Sequence, residues 1–274
     1  MMRSLWTGAS GMGAQQLMTD TIANNIANVN TTGYKRERLE FQSLLYQTIQ
    51  SAGSNPAVIG NRPANLQVGH GVRAVATTRS FQMGNLEPTH RNIDFAIQGN
   101  GFFVVDRGFD QGLAYTRDGS FQLTPIGGGQ LMLVTSDGLP VLDQTESQII
   151  IQDNIDAQQL IVSQDGSFAA RNAEGQPVDL GFTLAIVQFS NRQGLDASLG
   201  GNLFLETAAS GAPLLEPDNV TQRSQIIQGH LERSNVQIAE EMVGLIVSQR
   251  AFELNSRVIQ TSDQMLQEAA NLRR

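Results

Sequence analysis

The chain has 274 residues, enough for one large domain or two ordinary ones and for a real core. With 26 acidic against 18 basic residues its formal net charge is -8, which argues against nucleic acid or an anionic membrane surface as partner. Cysteine is absent, so disulfides, thiol nucleophiles and cysteine-held metals are excluded together. Lys35 is the sole lysine, the other basic residues being arginine, a bias that suits a protein with many packed contacts and equally a genomic habit.

The first element expected is a helix of about 25 residues. Leu5, Met12, Thr19 and Ile26 recur every seven residues, Ala9, Gln16 and Ala23 follow four further on, and Ile22 and Val29 add apolar weight. "NTTG" then stops the helix, with Gly33 as the natural left-handed C-cap. The opening "MMRSLWTGASGMGAQQ" lacks a continuous apolar core and does not read as a secretory signal. Near the helix end, Asn24, Asn25 and Asn28 fall within about 100° of one another and form a neutral polar stripe. Carboxamides both donate and accept, so the stripe suits a repeated subunit contact, the wall of an aqueous passage, or simply a solvated face leading into a turn. Geometry alone leaves these open.

Residues 36–70 fit neither end nor middle. "ERLEFQSLLYQTI" places Phe41, Leu44, Leu45 and Ile49 on one helical face, and the Gly, Pro, Asn and Ser that follow read as an extended connection. From 71 to about 228 the period changes to two. "VRAVATT", "IDFAIQ", "GFFVVD", "LMLVTS" and "FTLAIVQF" read as short strands separated by Asp-Gly, Asn-Gly and Gly-Gly-Gly turns. "TRDGSF" (116–121) and "SQDGSF" (163–168) look like one turn used twice. The last element is a long helix. Ile238, Leu245, Phe252, Ile259 and Leu266 are spaced by seven, flanked by Ala251, Val258, Met265 and Leu272, a pattern for coiled-coil packing. Ser234 or Asn235 is the expected N-cap, with Glu240 and Glu241 near the positive end of the helix dipole. "MVGLIV" (242–247) is apolar almost all round and calls for burial on several sides.

No catalytic constellation emerges. His70, His90 and His230 are isolated, "GNG" (99–101) lacks the further glycine of a dinucleotide loop, and no nucleophile elbow or phosphate loop occurs. The expectation is a non-enzyme without catalytic residues, cofactor or metal. No apolar run is long enough to insert in a membrane as a helix.

Two motifs carry a resemblance. "ANNIANVNTTGYKR" resembles the N-terminal signature, and "SNVQIAEEMVGLIVSQRAFELNSRVIQTSDQMLQ" the C-terminal signature, of the axial rod and hook subunits of the bacterial flagellum. "GNGFFVV" and "YTRDGSF" resemble the opening of that family's β-domain, and the length and "SLLYQTI" fit its distal rod subunits best. The resemblance implies an α+β fold: paired terminal coiled-coil-like helices plus a central all-β domain of short antiparallel strands. The implied domains are an N-terminal inner-layer helix (1–35), an extended connection (36–70), a β-rich outer domain (71–228) and a C-terminal inner-layer helix (229–274). A stretch at about 46–66, with Tyr46, Pro56 and Pro63, would stiffen the rod. Leu5, Met12, Ile22, Ile26 and the seven-spaced C-terminal residues would pack subunits, with Asn24, Asn25 and Asn28 as inner-layer or channel-facing candidates. The implied function is a rigid hollow helical drive shaft across the periplasm, exported without a cleaved signal. The implied partners are other copies of the chain, proximal rod, hook or hook-junction proteins, surrounding rings and the type III export apparatus. A proximal rod or short hook subunit is the alternative, and a periplasmic β-rich binding protein or enzyme a distant one.

Overall fold

The computed structural model describes residues 2–50, 64–108, 112–152, 159–171, 176–200, 202–216 and 223–271. The chain is α+β and divides into two compact units, each built from separated stretches. The first comprises residues within 1–27, 37–78 and 237–274, and the second residues within 28–36 and 79–236.

The first unit holds both helices, α1 (Met2–Ala27) and α2 (Ile238–Asn271). α1 ends six residues before Gly33, where the Asn28 carbonyl accepts the Thr31 N–H at 3.2 Å and closes a turn. Gly33 does adopt the left-handed region (φ 68°), but its N–H bonds to the Glu232 carbonyl rather than capping the helix. α2 begins after Gln237, so neither Ser234 nor Asn235 is its N-cap. Asn235 instead donates to the Ser80 and Gln82 carbonyls and accepts the Arg36 N–H, whereas Glu240 and Glu241 do occupy the first turn.

Residues expected on one helical face at 41–49 form strands. Glu37–Ser43 pairs antiparallel with Val72–Arg79, and Tyr46–Gln50 with Leu66–Gly69. The apolar spacing fitted a helix, but these side chains have no core to face: Leu45 is 88% exposed, and Phe41 and Ile49 are exposed too. Cross-strand pairing therefore decides the local structure. Pro56 and Pro63, named for the stiffening stretch, and Leu272 lie outside the described residues.

The second unit is a set of short antiparallel sheets around an aromatic core. Its largest sheet orders Leu203–Phe204, Leu113–Thr116, Phe102–Asp106, Ile186–Gln188 and Leu214–Leu215. Phe102–Asp106 is buried on both faces, which period-two alternation achieves directly. Phe103 and Val105 enter a core with Phe95, Phe121 and Phe168, while Phe102 and Val104 join Tyr115, Phe189 and Phe204 on the other side. Edge-to-face ring pairs, such as Phe103–Phe121 at 5.1 Å, knit each cluster. "FTLAIVQF" divides between two strands, Pro177–Thr183 and Ile186–Gln188. The two similar hexamers serve different ends: Asp165-Gly166 turns the hairpin joining Leu160–Val162 to Ser167–Arg171, whereas 117–121 connects strands of separate sheets.

A buried ionic knot ties the segments entering and leaving this unit. Glu232 receives the Lys35 ammonium at 2.5 Å, the Arg117 guanidinium at 3.2 Å and the Gly84 N–H at 2.8 Å, with all three ionic side chains fully buried. Arg117 also donates to the Gly99 carbonyl at 2.6 Å and lies over the Phe102 ring. Burial pushes the Lys35 ammonium down to about 8 against the opposing pull of Glu232, and it lowers Arg117 from its ordinary value too. The sole lysine of the chain is thus an internal structural cation. Gly84 allows the approach, since a Cβ there would sit 1.9 Å from the Arg233 carbonyl oxygen.

Candidate functional site: the helical hairpin

α1 and α2 pack antiparallel along a seam made of small and polar residues. Ser4 meets Ser262 at 3.1 Å, Thr19 lies 2.9 Å from Ser248, and Ser248 donates to the Gln15 carbonyl at 2.9 Å. Asn25 closes the far end: its amide donates to the Glu37 carbonyl (2.8 Å) and to Glu241 (3.3 Å), and its oxygen accepts the Glu37 N–H (2.9 Å). Glycine brings the helices close between these bonds. A Cβ at Gly8 would meet Ile259 at 2.9 Å, and one at Gly11 would meet the Asn255 amide at 2.8 Å. On α2 the buried residues are Glu241, Ser248 and Ser262, all on one seven-residue row with Asn255.

The bulky apolar residues of α2 point elsewhere. Met242 is 53% exposed, Val243 61%, Ile246 56% and Val247 59%, and Leu254, one heptad beyond Val247, is equally open. Groups worth about 1.5–3 kcal/mol each on burial are therefore left in water while the hairpin closes on hydroxyls and carboxamides.

The seven-spaced residues read from sequence flank this seam rather than forming its centre. Leu245, Ile259 and Leu266 are half-buried along one side, whereas Ile238 and Phe252 are exposed. On α1, Ile22 is buried, Leu5, Met12 and Ile26 are half-buried, and Ala9, Gln16 and Ala23 face outward. The seam lies one residue round on α1, on Ser4, Gly11 and Asn25 with Gly8, Gln15 and Ile22. The physical reason is proximity: helices approach where Cβ atoms are missing, and a close approach demands that the polar groups there be paired. The signal was in the sequence, since Glu241, Ser248, Asn255 and Ser262 also recur every seven residues between two apolar rows.

The asparagine stripe divides among three environments. Asn25, expected in the inner layer or facing a channel, is buried and bonded within the chain. Asn24 is exposed, and Asn28 is half-buried, accepting the Thr31 hydroxyl in the turn after α1. Tyr46 opens an exposed strand, with its ring beside Gly69. A polar cleft of about 750 Å³ in the second unit is lined by Arg79, Arg192, Gln98 and Asn100, and among the described residues no carboxylate or histidine lines it. Among the described residues no three or more His, Cys, Asp or Glu side chains gather as metal ligands, and no helix is long and apolar enough to cross a membrane.

Three family models match the chain in order: flagella basal body rod protein over 5–35, the flagellar hook protein FlgE/F/G D1 domain over 96–170, and the flagellar basal body rod FlgEFG protein C-terminal over 227–272. The first and last take in the two helices of the hairpin. The chain is 45% identical to the flagellar basal-body rod protein FlgG of Borreliella burgdorferi, with all of both chains covered. It is 44% identical to FlgG of Buchnera aphidicola, covering 99% of this chain and 100% of the relative, and 42% identical to FlgG of Caulobacter vibrioides at the same coverage. Such identity over the whole length leaves one assignment: the chain belongs to the flagellar basal-body rod proteins and is a subunit of the basal body.

Proposed function

We propose that the chain is a distal rod subunit that polymerises with its own copies into a rigid hollow helical shaft, a structural rather than catalytic role. The observation that carries this reading is the hairpin itself, which pairs its polar residues internally and leaves Met242, Val243, Ile246 and Val247 open. Each copy presents one surface to a different surface of the next, a heterologous contact that does not close and so builds a tube. The terminal helices complete their packing on neighbours, in coiled-coil fashion, while the β-rich region forms the folded body of each subunit. The full-length likeness to FlgG proteins supports the distal assignment, and with it a periplasmic shaft, passage through the flagellar export apparatus, and contacts with proximal rod, hook-junction and ring proteins.

Residues 46–66 are proposed to stiffen the shaft. Tyr46–Gln50 and Leu66–Gly69 form a two-stranded ribbon whose first strand is exposed throughout, suited to bracing a neighbour. The test is electron microscopy of polymer formed by the purified chain, with and without residues 46–66. Straight tubes from the full chain and curved ones from the deletion are expected. Straight tubes from both would refute the stiffening role, and tubes curved in both would favour a hook subunit.

A further inference from the structure

We infer that the open apolar face of α2 docks on the outer face of α1 of the next copy, in an antiparallel register set by Asp20 against Arg250. This rests on the self-assembly reading above and names the surface that serves it. The two faces are unlike. α2 carries bulky Val243, Ile246, Val247 and Leu254 outward. α1 turns the small residues Ala9, Gly13, Ala23 and Ala27 outward, with Trp6 and Leu17 as bulky exceptions in its first two-thirds, and a Cβ at Gly13 would meet nothing within 4 Å. Bulky residues find no groove on a second copy of their own face, whereas ridges of one helix seat well between small residues of another.

Direction and register follow from symmetry and charge. When identical copies point the same way along a tube, α1 of one runs antiparallel to α2 of its neighbour, as it does within the hairpin. The outward rows Gly13, Asp20, Ala27 on α1 and Val243, Arg250, Arg257 on α2 share the seven-residue spacing. Asp20 meets an arginine in two registers, against Arg250 or against Arg257, and the first alone also sets Ala27 against Val243 and Ala23 against Val247. In the single chain Arg250 bonds Glu253 at 3.0 Å, but that pair is exposed on both sides and so holds the guanidinium weakly. Other alignments along these rows leave Asp20 against an apolar residue or bury Arg250 without an acid, at a cost in desolvation.

Because the chain has no cysteine, single-cysteine variants report this contact cleanly. Ala23→Cys and Val247→Cys chains are mixed, assembled, checked for tubes by electron microscopy, oxidised mildly and run without reductant. Cysteine Cα atoms must come within about 7 Å to bridge, so only a close pair links. The expected result is a disulfide-linked dimer from the mixture, at least about tenfold over either chain alone or a mixture of Ala9→Cys with Val247→Cys. A matched charge exchange, Asp20→Arg with Arg250→Asp, is expected to restore tubes that Asp20→Arg alone prevents. Dimers from Val247→Cys alone, or linkage to Ala9→Cys instead, would overturn the pairing. Tubes that form without any linkage would overturn the pairing and leave the rod reading intact, whereas no tubes from the unsubstituted chain would overturn both.

Discussion

The two units bury charge and apolar surface in opposite ways. The β-rich unit completes itself: Phe102 and Phe103 enter separate aromatic clusters, and Glu232 meets two cations and a backbone N–H. The hairpin unit does the reverse, with Glu241, Ser248 and Asn25 inside and Val243 and Val247 outside. One unit therefore closes its apolar surface within the chain, and the other leaves much of its own open. The lesson concerns buried polar groups, which in the β-rich unit hold distant segments together and in the hairpin fix register.

The largest way to break this contrast is to remove Glu232. Glu232→Ala leaves two buried cations without their acid, and a loss of about 3–5 kcal/mol is expected in denaturant unfolding. Phe103→Ala should approach that effect through the cavity it opens, about 3–5 kcal/mol. In the hairpin the matching change is milder. Glu241→Ala removes one partner of Asn25 while the Glu37 backbone retains it, so about 1–3 kcal/mol is expected, read as faster amide exchange at the ends of the helices in the assembled polymer.

Lys35 sharpens the comparison through pH. Burial lowers its value from 10.5 to about 8, so across that window the unfolded chain holds a proton that the folded chain has released. Stability should therefore rise with pH through this range, and Lys35→Met should abolish the rise in pH-dependent melting. The smallest expected effect is Val247→Ala. In dilute chain it should change stability by less than about 0.5 kcal/mol, because the side chain is already in water, yet it should slow polymer growth measured by light scattering.

Much of this was legible in the sequence, and the failures share a cause. Period-two segments such as "GFFVVD" became strands because a core waited on both sides, and the positions of both long helices were set by their seven-residue patterning. Heptad reasoning places the most apolar row at the seam, but Gly8 and Gly11 let the helices meet on a polar row instead. Which of two adjacent rows is inside depends on the partner's Cβ positions, and that is a tertiary fact. Phe41, Leu45 and Ile49 misled for a related reason, since helical spacing among residues with no core to face carries no structural force. Asn25 was found as part of a stripe, but its bond to Glu241, 216 residues away, has no local signature.

The central claim is that the hairpin is finished by other copies of the chain. Amide exchange of residues 2–27 and 238–271, compared between dilute chain and assembled polymer, addresses it directly. The account predicts rapid exchange along both helices in dilute chain and strong protection on assembly, while the strands around Phe103 stay protected throughout. Equal protection of the helices in both states would contradict it.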